Sequence, residues 1–201
     1  MNLQSVEPLF LRIPRGVLSR IRLAWFTLLG MKMGTRNRME GGGRVRRCSQ
    51  VRIGSNNAFT QGAWLWPIDG AFEGYRIRIG DRNYFNRNLM IDACGSIEIG
   101  NDNMFGPDVY ITDSNHRFGT ALPPGQAPME TGHVRIGSRC WIGAKAVILK
   151  DVELGDDSVV GAGSVVTKSV PRGAVVAGVP ARVIKQGYSS GEGLLEASSR
   201  S

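Results

Sequence analysis

Apolar side chains recur at every sixth position through the C-terminal half of the chain. Ile136, Ile142, Ile148, Leu154, Val160 and Val166 keep this step without a miss, and Gly137, Gly143, Gly155 and Gly161 follow four of them. Two positions before each stands a small or β-branched residue: Val134, Cys140, Ala146, Val152, Ser158 and Ser164. The step continues N-terminally through Ile99, Phe105 and Ile111, then Ile79, Phe85 and Ile91, then Ile53, Phe59 and Leu65. The jumps of eight residues (Ile91 to Ile99) and fourteen (Leu65 to Ile79) each read as two extra residues at a corner.

A period of six matches neither a helix, at about 3.6, nor a half-buried strand, at about 2. It predicts short strands that turn at every hexad, three hexads closing a triangular coil of about 18 residues, with coils stacked by parallel pairing around an aliphatic interior. Glycine is expected at the corners because it accepts φ > 0. The fold class is therefore all-β, a left-handed parallel β-helix of hexapeptide repeats and an exception to right-handed crossovers. A β-sandwich would instead give turn signals about every 8–12 residues and no such register.

Three other pieces surround the coils. Val17, Leu18, Ile21, Ala24, Trp25, Leu28 and Leu29 form one helical stripe, with Gly30 as its stop. Residues 117–132, with three prolines and three glycines, break the count and predict a protruding loop. The organisation read this way is a basic N-terminal extension with an amphipathic helix (1–49), a β-helix domain (50–186) and a frayed Gly/Ser-rich tail (187–201).

Charge sharpens this division. Residues 1–52 hold eleven basic and two acidic residues, +9, while the remaining chain holds fourteen and fifteen, −1. The basic character thus belongs to the N-terminal segment, a candidate contact for anionic lipid, nucleic acid or a charged polymer. With 42% hydrophobic and 21% charged residues, wholesale disorder and a multi-span membrane protein are excluded. No signal peptide is visible: the longest uncharged early stretch, Leu23 to Met31, has nine residues, where a spanning helix needs roughly 20. Cys48, Cys94 and Cys140 read as reduced thiols of a cytosolic protein. With only His116 and His133, one copy of the chain has too few histidines for a three-histidine metal site.

DSNH (113–116), the Pro/Gly-rich loop, and VRIGSRCWIGAKAVILKDVELGDDSVVGAGSVVTKSVPRGAVVAGVPARVIK (134–185) resemble the hexapeptide-repeat acyltransferases. The nearest branch is the sugar O-acetyltransferases: the maltose, galactoside, nodulation-factor and surface-polysaccharide enzymes. The likeness covers roughly residues 50–186 and is most specific in its last third. It implies acetyl-CoA as donor, a sugar or glycan acceptor, no metal, no nucleic acid, a cytoplasmic location and a homotrimer with active sites between subunits.

The resemblance also assigns residues. His116 stands where the family keeps its catalytic histidine, and an alcohol needs such a base before it attacks a thioester. His133, at the far end of the loop, is read as structural or CoA-adjacent. Asn86 matches an acceptor-binding asparagine, its alternative being a corner residue that satisfies its own backbone. Asp92 and Asp113 are further acceptor-side candidates. The donor positions are Gly143, Ala144, Ala162, Thr167, Lys168, Arg182 and Lys185, with a Gly143–Ala144 amide available to an oxyanion and the cations to phosphates.

Other features leave alternatives. Trp64, Trp66 and Pro67 suit either a sugar face or packing. Residues 1–34 lack the compact helical cap of the maltose and galactoside enzymes. They would either rest on the anionic inner face of a membrane or cap the first coil. An amino-sugar or antibiotic acceptor, and a non-catalytic scaffold, are the competing functions. A γ-type carbonic anhydrase fails on its histidine count. A serine acetyltransferase is disfavoured because its large N-terminal helical domain is absent.

Overall fold

The six-residue period folds into a three-sided stack. The computed structural model describes residues 9–68, 72–119 and 121–187, so the Gly/Ser-rich tail expected over 187–201 lies outside the described residues after Gly187. Its coils pair in parallel, each strand with the equivalent strand of the coils before and after, in three sheets. The first face runs through Val51–Ile53, Ile77–Ile79, Ser96–Ile99, His133–Ile136 and Val152–Leu154. The second runs through Ala58–Phe59, Tyr84–Phe85, Met104–Phe105, Trp141–Ile142 and Val159–Val160, and the third through Trp64–Pro67, Met90–Ala93, Tyr110–Thr112, Val147–Ile148 and Val165–Val166. The molecule is a left-handed parallel β-helix. Like residues stack on like inside it: Phe59, Phe85 and Phe105 are fully buried, with ring centroids 4.5 and 4.7 Å apart.

The stack begins one coil earlier than the period suggests. Lys32–Met33, Arg38–Met39 and Arg44–Val45 pair with the three strands of the next coil, so residues 32–49 belong to the β-helix and not to the extension before residue 50. Met33, Met39 and Val45 hold the inward positions at the same step of six. Two flexible methionines fill a coil without giving the branched-aliphatic signal of the later repeats.

The fourteen-residue jump also has a different cause. Arg52 pairs with Arg78, 26 residues on, and Arg78 pairs with Glu98, 20 residues on. No hexad is skipped, and the surplus in each coil falls at one corner, between the third face and the first. Residues 46–50, 72–76, 94–95, 113–119 and 121–132 therefore emerge above one another at that corner.

The glycines after the inward aliphatics do not carry the positive φ expected of them. A Cβ on Gly80 would fall 2.6 Å from the carbonyl oxygen of Gly100 in the next coil, and one on Gly54 equally close to that of Gly80. Only a bare Cα lets successive corners approach so closely. The left-handed backbone sits two residues later, at Asn56, Arg82, Asp102, Arg139 and Asp157, with φ between 56° and 62°.

Between these positions runs a buried asparagine ladder. Asn83 Oδ1 accepts the Asn103 N–H at 2.9 Å, while its Nδ2 donates to Asn57 Oδ1 (3.0 Å) and to the Gly100 carbonyl (2.9 Å). Asn83→Leu is expected to strand these partners in an apolar corner and to cost about 2–4 kcal/mol. Urea unfolding would read the loss as a lower midpoint at unchanged slope.

The helix α1 (Leu9–Leu28) precedes the first coil. It ends as its sequence predicts: Gly30 has φ +103°, its N–H bonds the Thr27 carbonyl, and the Met31 N–H bonds that of Phe26. It packs on the first coil, through residues other than the stripe read from the sequence. Leu23 and Phe26 are buried, Ser19 Oγ accepts the Met39 N–H, and Arg22 donates to the Met39 carbonyl, both at 2.9 Å. The edge of the first coil is thereby closed. Val17, Leu18, Ile21, Trp25, Leu28 and Leu29, the stripe read from the sequence, face away and are exposed. No helix among the described residues is long and apolar enough to cross a membrane.

Candidate active site

His116 ends the strand Ser114–His116, which leaves the third face and pairs antiparallel with Met129–Thr131. This two-stranded stem carries the loop out from the corner where the insertions stack. His116 Nδ1 lies 3.1 Å from the Pro124 carbonyl oxygen, near the loop's far bend. A carbonyl only accepts, so Nδ1 is the donor in this bond, and in the neutral ring the lone pair falls on Nε2. The ring is exposed, and its one tethered nitrogen leaves Nε2 as the basic atom. His133 is held differently, its Nδ1 3.7 Å from Asp151 and its Nε2 3.5 Å from Glu153.

Asp113, expected on the acceptor side, sits at the root of the stem that carries His116. It is fully buried, its Oδ1 accepting the Cys94 N–H at 2.7 Å and its Oδ2 the Gly95 N–H at 2.9 Å, and its carbonyl accepts the Gly132 N–H at 2.8 Å. The carboxyl thus pins the root of the His116 stem to the coil below. Burial pushes its pKa up from 3.8 to about 6, against the pull of the two amides. The stability this raised pKa contributes is fully present below about 3.8 and is lost as the pH rises through about 6. Asp113→Asn, which does not titrate, is expected to flatten that part of a melting-temperature profile. It should also cost about 1–3 kcal/mol, because one amide loses its acceptor. Melting curves from pH 4 to 7 check both.

Asp92 stands beside this root, in register with Thr112 on the next strand and Trp66 on the previous one. Its Oδ2 accepts the Tyr110 hydroxyl at 3.3 Å, while its Oδ1 is buried without a hydrogen-bond partner. Burial raises its pKa, the Tyr110 hydroxyl opposing the rise. Tyr110 belongs to no motif, and only the strand register brings it to Asp92. Trp64 and Trp66 stack at 5.7 Å, with Arg44 over one ring and Arg46 over the other.

Of the positions expected for the donor, Gly143, Ala144, Ala162 and Arg182 meet at a different corner, between the second face and the third. Ala144 and Ala162 hold equivalent places on successive coils, and a Cβ on Gly143 would lie 2.5 Å from the Ala162 nitrogen. The N–H groups of Ala144 and Ala162 have no hydrogen-bond partner among the described residues. Arg182 reaches the same corner from the C-terminal strand Ala181–Lys185, opposite Ala177. Small side chains, two open amides and a terminal cation suit an extended thioester arm with phosphates at its end. Asn86 shares this corner, three coils below Ala162. Its Oδ1 accepts the Arg87 N–H at 2.8 Å, so only its Nδ2 is open to a ligand. Thr167 and Lys168 lie elsewhere, past the third face at the corner that also bears His116, and Lys185 pairs with Val175 at the far end of the last strand.

Residues 133–168 match the family model described as bacterial transferase hexapeptide (six repeats). The chain is 37% identical over 126 residues to galactoside O-acetyltransferase of Escherichia coli (strain K12), a match spanning 63% of this chain and 62% of that protein. It is 34% identical over 150 residues to the putative lipopolysaccharide biosynthesis O-acetyl transferase WbbJ of the same strain, spanning 71% and 74%. Among solved structures, a galactoside acetyltransferase in complex with coenzyme A superposes with a TM-score of 0.57 at 25% identity, covering 86% of this chain and 80% of that one.

Proposed function

The chain belongs to the hexapeptide-repeat acetyltransferases, and from that premise we propose that it moves an acetyl group from acetyl-CoA to a sugar hydroxyl, with His116 Nε2 as general base. The observation that supports this reading is the Nδ1–Pro124 bond, which in the neutral ring favours the tautomer a base requires. Nε2 takes the acceptor's hydroxyl proton as its oxygen attacks the thioester carbonyl. The Ala144 N–H is the donor placed for the oxygen that becomes negative. The carbon–sulfur bond then breaks, and the proton on Nε2 passes to the CoA thiolate. Ala162 and Gly143 give the pantetheine arm its backbone bed, and Arg182, Lys185, Thr167 and Lys168 receive the phosphate end.

His116 and Asp92 leave from one corner of the prism, while Asn86, Ala144 and Ala162 line another. A complete site therefore needs the first corner of one copy against the second corner of its neighbour, which closes naturally as a homotrimer. The second face supports such a neighbour: Tyr84, Met104 and Trp141 pair in register as an exposed apolar line beside the donor corner. Within this site Asp92 Oδ1, buried and unpartnered, and Asn86 Nδ2 take acceptor hydroxyls. The similarity to WbbJ favours a surface-polysaccharide precursor as the acceptor, and acetyl-CoA as donor implies a cytoplasmic reaction.

The test is release of CoA thiol from acetyl-CoA with a panel of mono- and oligosaccharides, read against a blank of enzyme alone because the chain has three cysteines. Release that depends on the sugar supports the proposal. Binding of neither acetyl-CoA nor CoA would overturn it in favour of a scaffold.

A further inference from the structure

The helix that closes the first coil has two apolar faces, and the fold uses one. Leu23 and Phe26 turn inward, whereas Ile21, Trp25 and Leu28 are 60%, 56% and 77% exposed and continue through Val17 and Leu18. These five residues span little more than a quarter of the helix circumference. An isolated exposed leucine is ordinary; a row of five over three turns, with an indole at its centre, is a surface awaiting an occupant.

The charge around the row identifies that occupant. Arg20 and Arg22 stand on α1 beside the row, and the helix sequence has no acidic residue. Lys32, Arg36 and Arg38, in the coil directly beneath, are exposed as well. A second copy seated on the row would set one cationic helix against another, and the carboxylate beside it, Glu40, already lies 3.9 Å from Arg38 of its own chain. An anionic bilayer supplies both the apolar layer for the row and the counter-charge for its flanks. At 20 residues with interspersed arginines, the helix lies in the interface and does not span.

We propose that α1 seats the protein on the surface of an anionic membrane through Val17, Leu18, Ile21, Trp25 and Leu28. The seating gives the stack a direction. Asn86 and Asp92 lie in the third coil, about 10 Å above the first at roughly 4.8 Å per coil, and Ala144, Ala162 and Arg182 lie progressively farther away. The acceptor end of the site then faces the membrane and the donor end faces away, an arrangement suited to a glycan held by a lipid anchor. The seating itself does not rest on the transfer reaction.

Co-sedimentation of the full chain with vesicles tests it, using phosphatidylcholine alone against phosphatidylcholine with one third phosphatidylglycerol. Wild type is expected to bind the anionic vesicles, more weakly as salt rises. Ile21→Glu combined with Trp25→Glu, which leaves Ser19, Arg22, Leu23 and Phe26 in place, should bind at least roughly tenfold less at an unchanged melting temperature. Arg20→Glu, remote from the packed face, should weaken binding and its salt dependence together. Equal binding by wild type and the double variant would overturn the proposal. So would a smaller oligomer in the double variant by light scattering, because the row would then be covered by a second copy.

Discussion

His116→Ala is expected to lower acceptor-dependent CoA release roughly 10²–10⁴-fold, the range that a positioned general base contributes. Acetyl-CoA binding should be essentially unchanged, because the donor corner of the same chain carries no contact to the ring. His116→Gln separates the base from its packing. A glutamine keeps a polar side chain against the Pro124 carbonyl but offers no atom that accepts a proton at neutral pH, so it should fall nearly as far as alanine. Recovery of most of the rate in the glutamine variant would mean that His116 holds the loop and that the proton goes elsewhere. The assay is initial-rate thiol release at saturating acetyl-CoA, with isothermal titration of CoA as the binding control.

The second large effect is expected at Ala162. Its side chain is exposed at the donor corner, and its N–H has no partner among the described residues. Ala162→Trp projects an indole outward, across the bed proposed for the pantetheine arm, without entering the coil interior. KM for acetyl-CoA should rise about 10–200-fold, the range over which the fit of a binding pocket discriminates. The melting temperature should stay near that of wild type. The same substitution at Asn56, a corner residue of the second coil far from the donor positions, should leave KM unchanged and controls for bulk alone.

Much of this architecture was legible in the residues. Ile136 to Val166 repeat without a slip, because a parallel coil stacks each side chain on its equivalent and any change of register would misplace a whole column. The first coil was not legible. Met33 and Met39 occupy the same inward column, but methionine carries no branched-aliphatic signature. The glycine positions were readable although the reason for them was not. Close approach between Gly54, Gly80 and Gly100 depends on distances between coils, which a single hexad does not contain. Likewise the apolar stripe of α1 was visible, yet Leu23 and Phe26, off that stripe, make the contact with the core.

At the candidate site, His116, Ala144 and Ala162 were singled out through their motifs. Three relations had to wait for the fold. The tautomer of His116 depends on a carbonyl eight residues away across a loop. Asp113, one residue of a polar tetrapeptide, becomes buried only because the stem turns back over Cys94 and Gly95. Asp92 meets Tyr110 across neighbouring strands. The division of the site between two corners is also invisible in a linear reading, since a string of residues does not say which corner of the prism each motif reaches.

That division leads to the most direct test of the central claim, that acetyl transfer uses His116 of one copy and the donor corner of another. At acetyl-CoA well below the wild-type KM, His116→Ala is expected to be nearly inactive and Ala162→Trp about 10–200-fold slower than wild type as homo-oligomers. After the two are mixed, unfolded and refolded together in equal amounts, random assembly leaves roughly one site in four with both elements intact. The account predicts that acceptor-dependent CoA release returns to about that fraction of the wild-type rate. If the mixture stays as inactive as its components while wild type treated the same way recovers, His116 and Ala162 serve within one chain, and the proposed shared site is wrong.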